Sequence, residues 1–362
     1  MWGAMEDPKV FKSSQLPIEI WMVIIEFVLD EYRRPYLYCT AETFPQFQLH
    51  LSWCNRFNDL GKVEILGYWR NIRAVSRLWN HLARGPPYLI LNDAHDHVPK
   101  GTSSILIKEK TEFSSFIQRA LDDPNLTLNV TTIAFVGYRA DNKAHLLFNN
   151  ANLFPVLKCL MVDARFGGGM LWRHVGRAFP HLVALSVRTA INEATPEESM
   201  VLEKLEVLSL DGALPPGLVL PSLKHIYIPN CPDLSHILWK NHGHQVESLL
   251  VTGATRKWQA QIWETFPNIK VFGDRSYCDI PGPPDHHPLQ YLPIFSESAK
   301  SYEQTTSIVS RFPGITHLHI THEFMEDADL NKLLEFCQEK SLEVVSAIPL
   351  RWKSSSLNKS MS

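Results

Sequence analysis

Three features typical of secreted and membrane proteins are missing from this sequence. Its six cysteines are widely spaced without a Cys-x-x-Cys pair, and the chain opens without a basic segment followed by an apolar one. The most apolar stretch, residues 16–29, spans 14 residues and includes two glutamates, so it is too short and too charged to cross a bilayer. These absences predict a reducing compartment, cytoplasmic or nuclear or both, and no membrane partner.

An excess of charge of one sign is also lacking. The 362 residues carry 35 basic and 38 acidic side chains, a formal net charge of −3, so the total charge does not predict a nucleic-acid partner. The hydrophobic fraction of 45% is enough for a buried core. We therefore expect a folded protein of one or two domains that recognises its partners by local shape.

The sequence patterns of common catalytic and metal sites are not found. There is no Gly-x-Ser-x-Gly elbow and no His-Glu-x-x-His helix, and Gly167-Gly168-Gly169 lacks the Gly-Lys-Ser/Thr of a phosphate loop. Histidine clusters such as His317-x-His319-x-x-His322 are not joined to a cysteine pair at ligand spacing. The sequence predicts no catalytic residue, no metal and no cofactor, with an α/β enzyme of unrecognised site left open as an alternative.

Two helices are predicted near the N-terminus. The first begins at Pro17, where a helix tolerates a missing N–H, and the second covers residues 68–83 and ends at Gly85-Pro86-Pro87. Seven aromatic side chains lie between the helices, in residues 32–67, so we expect that insert to fold against something. The first helix has two apolar stripes, and we expect one of them to meet a different chain: Ile20, Ile24, Phe27 and Val28 form one, and Trp21, Ile25 and Leu29 the other.

The two helices together resemble a known family. Leu16-Pro17-x-Glu19-Ile20, the apolar helix that follows, and Val75-Ser76-Arg77-x-Trp79-x-x-Leu82-Ala83 resemble the F-box, especially its fungal F-box-like branch. The resemblance implies a module at 13–87 that binds the Skp-type adaptor of a cullin–RING ubiquitin ligase. The family usually has a shorter link than the insert at about 32–67. The adaptor-binding residues would be Leu16, Pro17, Ile20, Ile24 and Trp79.

The phrase apolar-x-x-apolar-x-apolar recurs through the rest of the chain. From residue 157 onward, successive copies begin 18–26 residues apart, mostly in the leucine-rich-repeat range, and Phe-Pro precedes four of them. The region at about 100–345 resembles an irregular leucine-rich-repeat domain, which implies a parallel sheet with one strand from each repeat. Clear copies begin at Leu157, Leu182, Leu205, Leu223, Val246 and Ile315, and weaker copies at Val130, Ile269 and Leu289.

The predicted fold is therefore α/β: an N-terminal all-α F-box-like helical module, then a leucine-rich-repeat-like α/β solenoid with a parallel sheet. A generic α/β domain with several buried strands stays open as an alternative. The Lys/Ser-rich tail at 353–362 is predicted to be disordered. Helices are predicted at 112–121, 169–179, 257–266, 297–312 and 327–338.

Residues between the apolar positions of each phrase would line the open face of the sheet, because neighbouring side chains of a strand point to opposite faces. On this face we predict the target-binding residues Asp163, Arg188, Asp211 and Tyr227, with a loop or the insert as the alternative site. The expected function is a non-catalytic substrate receptor of a ubiquitin ligase, whose partners are the Skp-type adaptor, its cullin and a target protein. A protein-interaction scaffold whose insert blocks adaptor binding stays open as an alternative.

Overall fold

The structure is a computed structural model that describes part of the chain. The described residues are 20, 88–92, 106–107, 110–128, 130–138, 141–166, 168–189, 200–211, 217–228, 237–251, 256–274, 281–294, 301–320 and 327–346. Of the predicted adaptor-binding residues, Ile20 is described, and Leu16, Pro17, Ile24 and Trp79 lie outside these ranges. The insert at 32–67 and the tail at 353–362 also lie outside them.

The strands are short, and most of them begin within a copy of the repeated phrase. In chain order they are β1 (Tyr88–Asn92), β2 (Leu106–Ile107), β3 (Thr132–Tyr138), β4 (Cys159–Phe166), β5 (Ala184–Thr189), β6 (Met200–Val201), β7 (Val207–Asp211), β8 (Leu218–Val219), β9 (His225–Ile228), β10 (Ser248–Val251), β11 (Val271–Asp274), β12 (Tyr291–Ile294), β13 (His317–Ile320) and β14 (Glu343–Ser346).

Helices occupy many of the connections between strands. They are α1 (Lys110–Asp122), α2 (Asp141–Asn149), α3 (Gly168–Ala178), α4 (Ile237–His242), α5 (Arg256–Thr265), α6 (Tyr302–Val309) and α7 (Asp327–Glu339). Four of the five predicted helices are confirmed to within two residues as α1, α3, α5 and α7. The helix predicted at 297–312 is confirmed in part, since α6 covers 302–309 and residues 297–300 lie outside the described ranges. The helices α2 and α4 were not predicted. Among the helices that the structure describes, none has the length and apolar composition needed to cross a lipid bilayer.

Twelve of the described strands form one parallel sheet. Its order is β14-β13-β12-β11-β10-β9-β7-β5-β4-β3-β1-β2, and β6 and β8 pair with each other in a separate small sheet. From β3 to β14, each strand of the large sheet therefore lies beside the next one along the chain. The described residues form a mixed α/β fold with a large parallel sheet, and the strand order is compatible with an α/β solenoid.

The same turn precedes eight strands of the sheet. In each turn the N–H group of the residue that opens the phrase donates to the carbonyl oxygen three residues earlier, at 3.0–3.4 Å, as Leu157 does to Phe154 and Ile269 to Phe266. Where Phe-Pro precedes the phrase, the phenyl ring is buried and proline takes the second turn position, which its fixed φ suits. The strands concerned are β3, β4, β5, β7, β9, β10, β11 and β13.

A second repeated contact fixes the register between neighbouring strands. The carbonyl oxygen of the residue before a strand accepts from two successive N–H groups of the next repeat, at 2.7–3.1 Å. The Lys158 oxygen, for example, accepts from Val183 and Ala184. Because this pattern recurs from Thr131 to Gln290, each strand starts level with the one before it.

The main core lies on one face of the sheet, between the strands and the helices. The second apolar residues of the phrases form a row across the strands, and none of them is more than 1% exposed. Helical side chains such as Trp172 and Trp239 belong to the same buried cluster. Each large apolar side chain buried this way stabilises the fold by about 1.5–3 kcal/mol. The row comprises Leu160, Leu185, Leu208, Ile226, Leu249, Phe272, Leu292 and Leu318.

Candidate protein-interaction face

The sheet has a second face, on the side opposite the main core. Side chains alternate along a strand, so the residues between the core positions belong to this face. Its buried apolar members do not belong to the main core cluster, which supports the assignment. We define the second face by the first and third residues of eight strands: Cys159, Met161, Ala184, Ser186, Val207, Ser209, His225, Tyr227, Ser248, Leu250, Val271, Gly273, Tyr291, Pro293, His317 and His319.

Much of the second face is buried, and the expectation of an open face is wrong for its apolar part. Met161 is 6% exposed and Leu250 is fully buried. The apolar side chains with at most 6% exposure are Cys159, Met161, Ala184, Val207, Leu250 and Val271.

Three of the four predicted target-binding residues lie in one row. Asp163 on β4 is in register with Arg188 on β5, and Arg188 is in register with Asp211 on β7. Neighbouring strands place these backbone positions about 5 Å apart. The sheet thus brings two acidic residues and one basic residue together at adjacent positions near the ends of their strands.

The fourth predicted residue, Tyr227, lies on the next strand but in a different row. It pairs with Ser209 on β7, two residues before Asp211, and its side chain is partly exposed. A diagonal separation of this kind is about 7–8 Å, within reach of an aromatic side chain. We call the row of Asp163, Arg188 and Asp211 the charged row. Tyr227 is therefore next to the charged row and is not part of it.

A buried polar pair crosses the middle of the second face. His225 Nδ1 lies 2.9 Å from Ser248 Oγ, and the two residues are 2% and 0% exposed. The bond between the two side chains gives each a polar partner, as buried polar groups require. This side-chain hydrogen bond connects β9 to β10.

A partly exposed group of two aromatic rings and one carboxylate lies at the β12–β14 end of the sheet. The rings of Tyr291 and His317 stack with their centroids 4.4 Å apart, and His317 Nε2 lies 3.2 Å from Glu343 Oε2. The Glu343 side chain is 71% exposed, and that of His317 is 23% exposed. Of these three residues, the sequence patterns identified His317, as part of a histidine cluster, but not Tyr291 or Glu343. The weak phrase at Leu289 puts Tyr291 in the same repeat position as His317. Alignment of the phrases could therefore have identified Tyr291 from the sequence.

His319 is the buried member of this end of the face. It is 2% exposed, and among the described residues neither ring nitrogen has a hydrogen-bond partner. Burial, with a smaller electrostatic contribution from nearby His317, lowers the pKa of His319 to about 4. The imidazole is therefore neutral at physiological pH.

The described cysteine thiols and histidines do not form a reactive or metal-binding group. Burial raises the pKa of Cys159 to about 12 and that of Cys337 to about 11, so both thiols stay protonated and weakly nucleophilic. Within the described ranges, no three histidine, cysteine, aspartate or glutamate side chains converge as ligands of a common metal ion. His317 and His319 thus lack a third described ligand.

Comparison with known proteins leaves the family open. No protein-family model matches the sequence, and no curated protein matches it. The class that the described residues define is a mixed α/β protein with a large parallel sheet whose strands follow the chain.

Proposed function

We propose that this protein is a substrate-recognition adaptor of a cullin–RING ubiquitin ligase. In this proposal the N-terminal residues bind a Skp-type adaptor and, through it, the cullin. The sheet-bearing part of the chain binds the target protein. The observation that carries the proposal is the F-box-like pair of motifs at 16–20 and 75–83, whose one described member, Ile20, is helical and 45% exposed.

The exposure of Ile20 is what adaptor binding requires. A large apolar side chain that is left half-exposed on a helix is available to a partner chain. Burying it in an interface would contribute about 25 cal/mol for each Å² removed from water. Ile24 follows Ile20 by four residues in the sequence, and on the helix predicted from Pro17 it would extend the same surface.

The sheet supports the second half of the proposal, a leucine-rich-repeat-like solenoid. Its strands follow the chain order, the phrases recur at repeat spacing, and the same turn opens most repeats. Because much of the second face is buried, a partner would contact its partly exposed positions, such as Ser186, Tyr227 and Tyr291. We place target recognition at the charged row Asp163, Arg188 and Asp211 and at the adjacent Tyr227, since a pattern of charges gives specificity for a partner that carries the complementary pattern.

The proposed activity is binding alone. A chain that holds a target beside a ubiquitin-loaded partner raises the local concentration of the target, and the transfer itself happens on other subunits. We expect the protein in the cytoplasm, the nucleus or both, where cysteines stay reduced. The described cysteines, Cys159 and Cys337, are free thiols.

The proposal is tested by co-purification of the full chain with a Skp-type adaptor. Wild-type chain should retain the adaptor, and Ile20→Asp with Ile24→Asp should weaken binding at least about tenfold, because two charges would enter an apolar interface. Val201→Asp is the matched control, since Val201 is 48% exposed and lies on the separate β6–β8 pair. Absence of adaptor binding by the wild-type chain would favour the scaffold alternative, to which the 32–67 insert points.

A further inference from the structure

Exposed apolar side chains are concentrated where the first repeats begin. Leu128 is 46% exposed and Val156 is 39% exposed, on the turns that lead into β3 and β4. We call Leu128 and Val156 the edge patch.

The two turn residues of the edge patch are neighbours in space. Their turns close through Val130 N to Thr127 O at 3.0 Å and Leu157 N to Phe154 O at 3.2 Å. The strands they enter are paired, with Thr132 opposite Cys159. Leu128 and Val156 therefore lie on adjacent turns about one strand spacing, 5 Å, apart.

Later repeats do not continue the apolar patch. At the position of Val156 the later turns have a polar residue or glycine, and at the position of Leu128 they have proline, glutamate or histidine. Several of the polar side chains make hydrogen bonds to the neighbouring turn, as Gln245 Nε2 does to the Leu220 oxygen at 2.7 Å. Among the described turns, exposed large aliphatic side chains are thus found at the end of the array nearest β1. The polar turn residues include Glu203, Lys204, Ser222, His244, Gln245 and Asn268.

The chain enters the sheet at this same edge. Tyr88, the first residue of β1, is in register with Thr132, and Thr132 is in register with Cys159. The segment 13–87 is therefore tethered one to two strand spacings, about 5–10 Å, from the turns that carry Leu128 and Val156. So short a tether gives that segment a high effective concentration at the edge patch.

We propose that the segment 13–87 of this chain packs onto the edge patch and so holds the N-terminal module in a fixed position relative to the sheet. The segment has apolar surface to bury, including the apolar run at 16–29 and seven aromatic residues at 32–67. The inference goes beyond the ligase proposal and does not depend on it, because the contact is within one chain.

Photo-crosslinking of the full chain tests this contact without a charged substitution. Benzoylphenylalanine would be placed at position 128 in one variant and at position 201 in a control, since both positions are exposed and apolar. After irradiation, mass spectrometry should find links from position 128 to peptides of 13–87 and none from position 201. Equal linking from both positions, or links from 128 only to a second copy or to added Skp-type adaptor, would overturn the inference.

Hydrogen–deuterium exchange provides an independent readout. Leu128→Asp with Val156→Asp should raise exchange severalfold in peptides of 13–87, and Val201→Asp should not. Exchange in β5 to β13 should stay unchanged in both variants. The same exchange of 13–87 in all three proteins would refute the contact. If exchange also rises in the strands, the substitutions have destabilised the sheet, and the crosslinking experiment then decides whether the contact exists.

Discussion

His319 is buried as a neutral imidazole, and this burial links the stability of the sheet to pH. Its pKa in the folded chain is about 4, against 6.5 for an ordinary histidine. Above pH 6.5 the group is neutral in both the folded and the unfolded chain, so it adds no pH dependence there. As the pH falls from 6.5 towards 4, the unfolded chain binds a proton that the folded chain does not, and the free energy of unfolding decreases.

Replacing His319 with phenylalanine should flatten this acid dependence. Between pH 7 and 4.5 the free energy of unfolding of the wild-type chain should fall by about 2.5 kcal/mol more than that of His319→Phe. Each unit of difference between the folded and unfolded pKa corresponds to about 1.36 kcal/mol. Urea unfolding at both pH values measures the difference. His181→Phe, at an exposed turn position, is the control and should behave like the wild type. Parallel pH dependence in wild type and His319→Phe would contradict the account.

The charged row is a residue-scale feature that could be predicted from sequence. Asp163, Arg188 and Asp211 each follow the first residue of their phrase by six positions, so aligning the phrases aligns these residues. The burial of the second face could not be predicted in this way. Exposure of Met161 or Leu250 depends on side chains from other parts of the chain, which the strand pattern does not specify.

At the scale of elements, the turn before each strand joins one repeat to the next. Gly243 opens the turn that leads into β10, and a Cβ atom there would overlap the backbone oxygen of Thr265, at the end of α5. Backbone cannot move aside as a flexible side chain can. By contrast, a Cβ atom at Gly314, in the turn before β13, would meet only the Leu289 oxygen at 3.8 Å, an ordinary contact.

The pair Gly243→Ala and Gly314→Ala therefore tests the packing of successive repeats. We expect Gly243→Ala to lower the free energy of unfolding by about 1–3 kcal/mol, the usual range for overpacking. Gly314→Ala should change it by less than about 1 kcal/mol, with a gain expected from the stiffer unfolded chain. Urea unfolding of the full chain gives both values, and equal effects of the two variants would show that Gly243 is not in close contact with the next repeat.

The strands that carry the repeated phrase were predicted from the sequence, whereas the shortest strands and helices were not. The phrase located the strands from β3 to β13 that carry it, because strands covered on both faces need apolar residues at most positions. The strands β2, β6 and β8 have two residues each and α4 has six, too few for a periodic pattern. Their formation depends on neighbouring elements, which explains why sequence alone did not identify them.

For the whole molecule, the proposed function requires that one chain carry two separable binding activities. Ile20 lies in the N-terminal motif, and the charged row lies on β4, β5 and β7 of the sheet. Changes at one location should leave binding at the other intact. If the segment 13–87 is fixed against the edge patch, target and ligase would also be held at a defined separation, which favours transfer to particular lysines of the target.

The measurement that tests this account most directly is the lifetime of captured proteins in cells. Targets would be identified as proteins that co-purify with the wild-type chain and are lost from the Arg188→Ala, Asp211→Ala variant. Their half-lives would then be compared in cells with the wild type and with the Ile20→Asp, Ile24→Asp variant. We expect that this last variant still captures the targets but lengthens their half-lives severalfold. Unchanged half-lives would contradict a role in ubiquitin-dependent degradation.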